Sequence, residues 1–493
     1  MGHKFDNFQT SLSPPFAWEQ AQELVSTYGS PLYVYDGDRL RETIEYITQA
    51  VSYPRTHFHF ASVTNGNIAL LKIFRSAGWG LHANTPGDIY LGLQAGFDGS
   101  EIVYSGSNLN RAEMIQVLNW GVTTLNLDSL DQLRLCCEIF LHAETQRKVG
   151  APVSGDLNFS RQRRKEKEIR LGLRLNLPEI TGDSRIGVRP EEFDEAIALT
   201  GEAGLKLSGL HFYRGTGTNA TAAFTEVIDT VIATAQLLPD WEYLDFGGGF
   251  GYPYHHNKAA FDWEIFGAEL SQRIERLGRK IDLVIEPGRA AIAGCATMLA
   301  QVVSVKWQQD KQILGVDTTV ANLSVPSVHG GYREIITWGR GQGDKGTGGS
   351  VGSEGGKISS PSSHTSHTSH TSHTSHTSHT SHTSHTSHTS HTSHTSHTSH
   401  TSPLPTPHSL FTTDVCGNTT YSRDYLGKNC QLPALEIGDI IAILDVGAYG
   451  YAMSSHFLHR PKPAEVLLEN GRHRLIRQRE NYNVLLANQV LDN

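Results

Sequence analysis

The stretch YLDFGGGF at residues 243–250 is a short apolar run that ends in three consecutive glycines. An apolar run of this length that is bounded by glycine is typical of a buried β-strand. The glycines would let backbone N–H groups approach an anion closely and form a nest, although a plain tight turn explains them equally well. The pattern therefore predicts a buried strand that ends either in a turn or at a ligand site.

Seven other segments repeat the pattern of an apolar run followed by polar or glycine residues. They are HFHFAS (57–62), WGLHAN (79–84), EIVYSGS (101–107), TTLNLDS (123–129), RLGLRLN (170–176), LSGLHFYRG (207–215) and DLVIEPGR (282–289). Most of the gaps between the segments are long enough for a helix. Eight strand–helix units predict an α/β fold of the parallel (β/α)8 barrel type, in which active sites lie at the carboxyl ends of the strands.

The last of these segments ends in EPGR, which offers a carboxylate at Glu286 and a guanidinium at Arg289. An ion pair in a surface turn would also explain this pair. Barrels of this type often bind phosphate beside their last two strands, and arginine is well suited to a phosphate. Together with the glycines of residues 247–249, Arg289 predicts a phosphate site, with Glu286 close to whatever carries the phosphate.

The chain changes character after about residue 300. The segments there read as strands and turns, for example LAQVVSVKW, QILGVD, ALEIGDIIAILDVGAYG and AEVLLENGRHRLIRQRE. We therefore expect a barrel over residues 31–298 and a second, mostly β domain over residues 299–340 and 408–493. Residues 1–30 are expected to pack with that β domain.

A low-complexity insert interrupts the β domain at residues 341–407. The triplet His-Thr-Ser repeats there from His364 to His400 and holds 13 of the 26 histidines of the chain. Such a composition cannot bury enough apolar surface to offset the entropy of ordering, so we expect disorder. Adventitious binding of nickel or zinc by the imidazoles is plausible chemistry, but an expanded repeat tolerated in a surface loop is the favoured interpretation.

Charge and cysteine content exclude several functional classes. The net charge is −9 and the isoelectric point is about 6.3, which does not favour a nucleic-acid or membrane partner. The N-terminus has no signal-peptide pattern, and no segment has the roughly 20 apolar residues of a membrane span. Five cysteines without paired metal-type spacing fit a reducing compartment, so a cytoplasmic protein is expected and no metal site is predicted.

The barrel motifs and their order resemble the pyridoxal-phosphate-dependent decarboxylases of the alanine-racemase fold, which act on ornithine, lysine, arginine or diaminopimelate. The resemblance is closest to the diaminopimelate decarboxylases and runs from PLYVYD (31–36) to PAEVLLENG (463–471), leaving out the repeat. The motifs that carry it are SRIGV (184–188), GLHFYRGTG (209–217), LDFGGGF (244–250), EPGR (286–289), LPALEIGD (432–439) and DVGAYGYAMSS (445–455).

The resemblance implies a cofactor, pyridoxal phosphate, and a role for individual residues. Glu286 would pair with the pyridine nitrogen of the cofactor and keep its ring an electron sink. The residues that would hold the cofactor phosphate are Gly247, Gly248, Gly249, Arg289, Thr216 and Tyr449. The family also forms its sites across a homodimer, so the region of Thr420 and Tyr421 would come from a second copy of the chain.

One departure from the family pattern affects the chemistry directly. The family motif at the first barrel strand reads aromatic-Ala-Val-Lys-Ala-Asn, and its lysine forms the Schiff base with the cofactor. Here the stretch from Phe60 to Asn65 reads FASVTN, which puts Val63 at the lysine position. No lysine occurs between Lys4 and Lys72, and Lys72 is expected to lie on the following helix, away from the strand end.

Other departures affect cofactor stacking and substrate binding. Tyr213 stands where the family has a histidine on the cofactor ring, and it can still stack. His82 replaces an aspartate near the ring. The cysteine of the partner motif falls at Thr420, the acidic residue after it at Tyr421, and two substrate-binding residues at Val325 and His329. An amino acid therefore remains the expected substrate class, but diaminopimelate is poorly supported.

Three functions remain open at this stage. The first is a pyridoxal-phosphate-binding decarboxylase of altered or weak activity, because a cofactor without the lysine can still react with an amino acid. The second is a catalytically inactive relative that acts by binding, for example as a dimerising regulator. The third is a barrel that holds a different phosphorylated ligand, which leaves Glu286 without an obvious partner.

Overall fold

The protein is described from a computed structural model, which covers residues 15–148, 169–182, 184–215, 217–255, 257–338 and 409–490. The predicted repeat insert at 341–407 and the first 14 residues lie outside the described residues. No described helix has both the length and the hydrophobicity needed to cross a lipid bilayer.

Eight parallel strands close into a barrel, which confirms the predicted (β/α)8 architecture. The barrel strands are β2 (Thr56–Ala61), β3 (Gly80–Ala83), β4 (Ile102–Tyr104), β5 (Thr124–Leu127), β6 (Arg170–Arg174), β7 (Leu207–His211), β8 (Tyr243–Asp245) and β9 (Asp282–Ile285). Each lies within one of the eight segments that the sequence indicated, apart from Thr56 at the start of β2. The barrel closes where β2 pairs with β9, with Phe58 opposite Ile285.

Helices follow the strands and cover the outside of the barrel. The main helices of the described chain are α1 (Trp18–Tyr28), α2 (Gly37–Ala50), α3 (Ile68–Ser76), α4 (Pro86–Ala95), α5 (Arg111–Asn119), α6 (Leu130–Lys148), α7 (Phe193–Glu202), α8 (Ile228–Ala235) and α9 (Trp263–Arg276). Short helices of four residues occur at Pro178–Thr181, Ala222–Thr225, Arg289–Ile292 and Val325–Val328. Polar residues fix where several helices begin. For example, the side chain of Asn67 accepts a hydrogen bond from the N–H of Ala69 at the start of α3.

The interior of the barrel is filled by a tyrosine beneath the strand ends. Tyr243 on β8 is fully buried, and its hydroxyl donates to Oδ1 of Asn126 at 2.9 Å. The neighbouring strand has Gly209, where a Cβ would lie 1.9 Å from the Tyr243 ring. Glycine is therefore required there by the ring, and the barrel is a packed core rather than a pore.

A nine-stranded sheet forms the second, mostly β part of the structure. Its strands are β1 (Leu32–Asp36), β10 (Ala296–Gln308), β11 (Lys311–Val316), β12 (Ile335–Thr337), β13 (Leu410–Cys416), β14 (Tyr425–Pro433), β15 (Ile440–Ile443), β16 (Ala464–Glu469) and β17 (Arg472–Arg477). The order is β14-β13-β11-β10-β1-β16-β17, and β15 pairs with both β10 and β12.

Strand β1 lies in this sheet and not in the barrel. It pairs antiparallel with β10 and parallel with β16, so its residues belong structurally to the β domain although they come early in the chain. The expected barrel range of 31–298 therefore included a strand of the sheet. Helix α1 packs its apolar residues Ala21, Leu24 and Val25 into the same small core as Leu32.

The end of the first barrel strand is bound tightly to the sheet. Asn65 donates from Nδ2 to the carbonyl oxygen of Gly447 at 3.1 Å, and Asn67 donates to Oε2 of Glu465 at 2.8 Å. Glu465 is fully buried on β16 and also accepts a hydrogen bond from the hydroxyl of Tyr35 at 2.6 Å. Arg477 on β17 pairs with the same carboxylate. Charge and hydrogen bonding inside the fold thus join the barrel to the sheet.

Candidate functional site

A cavity of about 440 Å³ opens at the carboxyl ends of the barrel strands. Its walls come from the ends of seven of the eight strands and from one residue of the β domain. The lining residues are Ala61, Val63, Thr64, His82, Asn84, Ser105, Gly106, Ser107, Arg174, Ile186, His211, Tyr213, Gly217, Gly248, Gly249, Phe250, Glu286, Gly288, Arg289 and Tyr449. This is the end of a barrel where active sites are found.

The glycines after β8 form one edge of the cavity. Gly247 and Gly249 have φ values of 66° and 97°, which favour glycine. A Cβ on Gly247 would lie 2.0 Å from the carbonyl oxygen of Phe212, and one on Gly248 would lie 2.6 Å from that of Glu286. No side chain fits at these positions, so the backbone itself faces the cavity at Gly248 and Gly249. Such exposed backbone can hold an anion.

Arg289 adds a positive charge to the same cavity. It is the first residue of the short helix that follows β9, and its Cζ lies 5.2 Å from the ring centre of Tyr449 and 5.9 Å from that of Tyr254. A Cβ on Gly217 would lie 3.3 Å from Cζ of Arg289. The guanidinium is therefore held between aromatic rings and close backbone, at a place where it can meet a phosphate.

Glu286 lies at the floor of the cavity between two histidines. Its side chain is only 2% exposed, and its Oε2 lies 3.3 Å from Nε2 of His211 and 3.5 Å from Nε2 of His82. Burial raises the pKa of Glu286 to about 7, against the opposing effects of a hydrogen bond with Asp245 and the charge of Arg174. The Oε1 atom of this carboxyl is buried without a hydrogen-bond partner. The carboxyl can thus accept a donor from a bound ligand.

A second carboxyl lies beneath Glu286. Asp245 is fully buried, with Oδ2 accepting from Asn126 at 2.8 Å and Oδ1 accepting from the N–H of Gly247 at 3.0 Å. Burial, followed by the charge of Glu286, raises the pKa of Asp245 well above its ordinary value. Two neighbouring buried carboxyls cannot both be charged cheaply, so they favour a state that retains a proton.

The two histidines at the floor are neutral near pH 7. Burial lowers the pKa of His211 to about 4, although the charge of Asp245 opposes the shift. Burial, and then the neighbouring His211 and Arg174, lower the pKa of His82 well below its ordinary value. Both ring nitrogens of His82 and the Nδ1 atom of His211 are buried without hydrogen-bond partners.

Tyr213 and Arg174 form another wall. The Cζ atom of Arg174 lies 5.0 Å from the ring centre of Tyr213, and a Cβ on Gly249 would lie 3.6 Å from the same ring. The tyrosine ring therefore packs between the guanidinium and the glycine edge, and Tyr213 lines the cavity.

Val63 lies in a single turn of 3₁₀ helix over Ser62–Thr64, which follows the first barrel strand. It lines the cavity and is 41% exposed, which is high for a valine at a strand end. No lysine occurs among the described residues that line the cavity. Lys72 is exposed on α3 and is not one of them.

Three further predicted site residues do not line this cavity. Thr420 and His329 are exposed, and Tyr421 packs its ring edge-on against Phe457, with 5.5 Å between ring centres. None of the three lines the cavity of its own chain. Thr216 lies outside the described residues, between Gly215 and the lining residue Gly217.

The sequence interpretation did not single out Arg174, His211 or Asp245. Each is the last residue of its strand, so strand-end position was the available signal. His211 stands two residues before Tyr213 in the same segment, and the resemblance gave a role only to the position of Tyr213. The floor of the cavity is therefore more polar than the sequence indicated.

Comparison with known families identifies the class to which this fold and cavity belong. A family model described as "Pyridoxal-dependent decarboxylase, pyridoxal binding domain" matches residues 38–293, and one described as "Pyridoxal-dependent decarboxylase, C-terminal sheet domain" matches residues 367–447. The chain belongs to the pyridoxal-dependent decarboxylases. The family resemblance is thereby confirmed, together with pyridoxal phosphate as the cofactor that the family implies.

Individual relatives carry more specific names. The chain is 28% identical over 484 residues to diaminopimelate decarboxylase of Methanothermobacter thermautotrophicus, covering 95% of this chain and 94% of the relative. The corresponding protein of Aquifex aeolicus is 24% identical over 474 residues, covering 94% and 93%. The crystal structure of Helicobacter pylori diaminopimelate decarboxylase complexed with L-lysine shares the fold, with 22% identity, coverage of 94% and 98%, and a TM-score of 0.69.

The residues present fit the cofactor at three points. The glycine edge and Arg289 suit its phosphate, the unpaired Oε1 of Glu286 suits a protonated ring nitrogen, and the face of Tyr213 suits its ring. No amine for covalent attachment of the cofactor comes from the described residues that line the cavity.

Proposed function

We propose that the chain binds pyridoxal phosphate and an amino acid in the cavity and decarboxylates the amino acid weakly or with altered specificity. One observation carries this proposal. A single cavity has a side-chain-free glycine edge and an arginine on one side, and a buried glutamate with an unpaired oxygen at its floor. The diaminopimelate decarboxylases among the relatives make diaminopimelate the first substrate to test.

Each cofactor contact would come from a residue already in position. The N–H groups of Gly248 and Gly249 and the guanidinium of Arg289 would hold the phosphate, with Tyr449 beside Arg289. Glu286 would hold a proton on the ring nitrogen. When bound, pyridoxal phosphate supplies an electron sink for the electron pair that remains after CO2 leaves.

The chain's own side chains set the charge around the reaction. His82 and His211 are neutral, so they flank Glu286 without forming an ion pair with its carboxylate, as a cation would. Arg174 is the cation nearest to the aromatic wall, so it can bind a carboxylate of the amino acid. Val63 can neither form a covalent bond to the cofactor nor move a proton at the reacting carbon. Slow turnover and loosely held cofactor follow.

A second copy of the chain would complete the site on the substrate side. Thr420, Tyr421 and His329 do not line the cavity of their own chain, and Thr420 and His329 are exposed. Phe457, which packs on Tyr421, is 51% exposed, and Val328 beside His329 is also 51% exposed. These exposed apolar groups support a homodimer, and we place the protein in cytoplasmic amino-acid metabolism.

The second candidate function is a catalytically inactive binding or regulatory protein. It is favoured by Val63 at the cavity wall, because the family lysine serves both attachment and proton transfer. A barrel for another phosphorylated ligand is a weaker candidate, since Glu286 would lack a cationic partner.

Titration of the purified full-length chain with pyridoxal phosphate tests the proposal. Binding is followed by absorbance and by the rise in melting temperature, and CO2 release is followed with diaminopimelate, lysine and ornithine. We expect saturable binding that Glu286→Ala weakens, together with slow CO2 release from at least one amino acid. Binding without CO2 release would favour the inactive relative, and no binding would overturn both.

A further inference from the structure

Four side chains that can bind a metal ion meet at the floor of the cavity. His211, Asp245 and Glu286 each direct a ligand atom into one buried region, and these atoms lie within 4.8 Å of one another. His82 approaches from β3, with its Nε2 atom 3.5 Å from Oε2 of Glu286. The cluster contains two imidazoles and two carboxyls, all buried.

The separations between these atoms match those of ligands around a metal ion. Nitrogen and oxygen ligands lie about 2.0–2.2 Å from a divalent transition metal, which puts neighbouring ligands roughly 3.0–3.5 Å apart. The distances from Oε2 of Glu286 are 3.3 Å to Nε2 of His211 and 3.5 Å to Nε2 of His82. The first distance is that of a long hydrogen bond, and the second lies beyond the usual hydrogen-bond range.

The cluster also has polar atoms that the protein leaves unsatisfied. Both ring nitrogens of His82 and the Oε1 atom of Glu286 are buried without a hydrogen-bond partner. Burying such atoms without a partner costs free energy. His82 is 7% exposed and faces the cavity, so a ligand that enters the cavity can reach it.

We propose that His211, Asp245 and Glu286 bind a divalent transition-metal ion, with His82 beside Glu286 as a further candidate ligand. A site that includes imidazole as well as carboxylates favours Zn²⁺, Fe²⁺, Co²⁺ or Ni²⁺ over Mg²⁺ and Ca²⁺, which prefer all-oxygen sites. Asn126 donates to Asp245 and holds that carboxylate in place beneath the ion. The cavity above supplies open coordination positions for water or a small anion.

The inference goes beyond the proposed function because the ion would use the same carboxylate as the cofactor. Glu286 cannot ligate a metal ion and pair with the ring nitrogen of pyridoxal phosphate at once. Metal and cofactor would therefore exclude one another. His82, which stands in place of the family aspartate, is the residue that makes the floor a site with two imidazoles.

Metal binding is measured on the full-length chain, without pyridoxal phosphate, by the rise in melting temperature with Zn²⁺ and by Co²⁺ absorption spectra. The variants are His211→Asn and Glu286→Gln, and the control is His59→Asn. His59 is half-buried and its Nδ1 atom is buried without a hydrogen-bond partner, but it lines a different cavity. The His-Thr-Ser repeat is present in every variant, so its own metal binding cancels in the comparison.

We expect wild type and His59→Asn to bind one more equivalent of Zn²⁺ tightly than the two test variants, whose affinity at this site falls more than about 10-fold. Equal Zn²⁺ effects in wild type and Glu286→Gln would overturn the inference, even if His211→Asn failed to fold. Metal binding without cofactor binding would refute the proposed function alone. Cofactor binding that Zn²⁺ leaves unchanged would refute this inference alone.

Discussion

The backbone N–H of Tyr449 donates a hydrogen bond to the carbonyl oxygen of Thr64, with 2.9 Å between nitrogen and oxygen. Tyr449 adopts a left-handed conformation, with φ of 59°, which is uncommon for a residue other than glycine. Both residues line the cavity. The sheet therefore holds the end of the first barrel strand in place, and with it the neighbouring Val63.

This fixed position makes Val63→Lys a direct test of what the valine removes. A lysine there would project its amine from a wall that already faces the cavity. We expect the variant, but not wild type, to attach added pyridoxal phosphate covalently. The measurements are visible absorbance, and the mass of residue 63 peptides after borohydride reduction.

Val63→Met is the matched control, because its side chain is long and unbranched but has no amine. It should bind the cofactor no better than wild type and give no reduced adduct. A folded Val63→Lys variant without an adduct would mean that the phosphate or ring contacts are absent as well.

The raised pKa of Glu286 predicts a pH effect on stability. The folded, cofactor-free protein keeps a proton on Glu286 up to about pH 7, whereas the ordinary value is 4.5. Its contribution to stability is therefore present below pH 4.5 and lost as the pH rises to about 7. Glu286→Gln should match wild type below pH 4.5 and become more stable by up to about 3 kcal/mol above pH 7.

The quantity to measure is the difference in the free energy of unfolding between Glu286→Gln and wild type, from urea unfolding at each pH. Buried histidines such as His82 have lowered pKa values, so their contribution rises with pH and opposes that of Glu286. Glu138→Gln, which changes an exposed glutamate, serves as control. If the free energy of unfolding of wild type and of Glu286→Gln changed with pH in parallel, the predicted proton on Glu286 would be contradicted.

Gly247→Ala should destabilise the protein far more than Gly278→Ala. The two glycines have similar φ values, 66° and 64°, so an alanine at either position costs about 1–2 kcal/mol of backbone strain. Only at Gly247 would the new Cβ meet backbone, at 2.0 Å from the carbonyl oxygen of Phe212. We expect at least ~3 kcal/mol of additional loss in the free energy of unfolding. Equal losses would show that the glycine edge can move.

Arg289→Lys should weaken the binding of pyridoxal phosphate by about 10-fold to 100-fold, because lysine cannot offer a paired set of N–H donors to a phosphate. Isothermal titration measures the change. Arg41→Lys, in a surface ion pair with Glu469, should have no effect on binding. If both variants bound equally well, the phosphate would lie elsewhere.

Asn65→Ala should destabilise the fold by about 2–4 kcal/mol, because the buried amide is the donor for two groups. It donates to the hydroxyl of Tyr35 and to the carbonyl oxygen of Gly447, each at 3.1 Å. Chemical denaturation followed by circular dichroism tests this. Asn483→Ala, in the exposed part of a short 3₁₀ helix, is the control. If Asn65→Ala lowered the free energy of unfolding no more than Asn483→Ala, water would be replacing the hydrogen bonds of the Asn65 amide.

The sequence predicted the barrel well because strand periodicity is a local property. All eight strands appeared as apolar runs, and their polar ends marked the cavity. The position of β1 could not be found in this way. Its apolar residues Leu32–Tyr35 suit any buried strand, and only its long-range pairing with β10 and β16 assigns it to the sheet.

Part of the site could be predicted because Glu286, Arg289 and the glycines stand in motifs whose chemistry is recognisable from the residues alone. His211 and Asp245 stand in two of the quoted motifs as well. Their meeting with Arg174 at the floor of the cavity, however, depends on the closure of the barrel, which brings three different strands together. The shifted pKa values of these three residues depend on burial that no local pattern records.

The buried carboxylate of Glu465 has an evolutionary consequence. Its partners Tyr35, Asn67 and Arg477 come from three separate parts of the chain, so barrel and sheet could not be inherited as independent modules without stranding a charge. Val63 belongs to none of these contacts. The side chain at position 63 can therefore change without breaking this network, so the chemistry of the cavity wall and the joint between barrel and sheet are separable features of the fold.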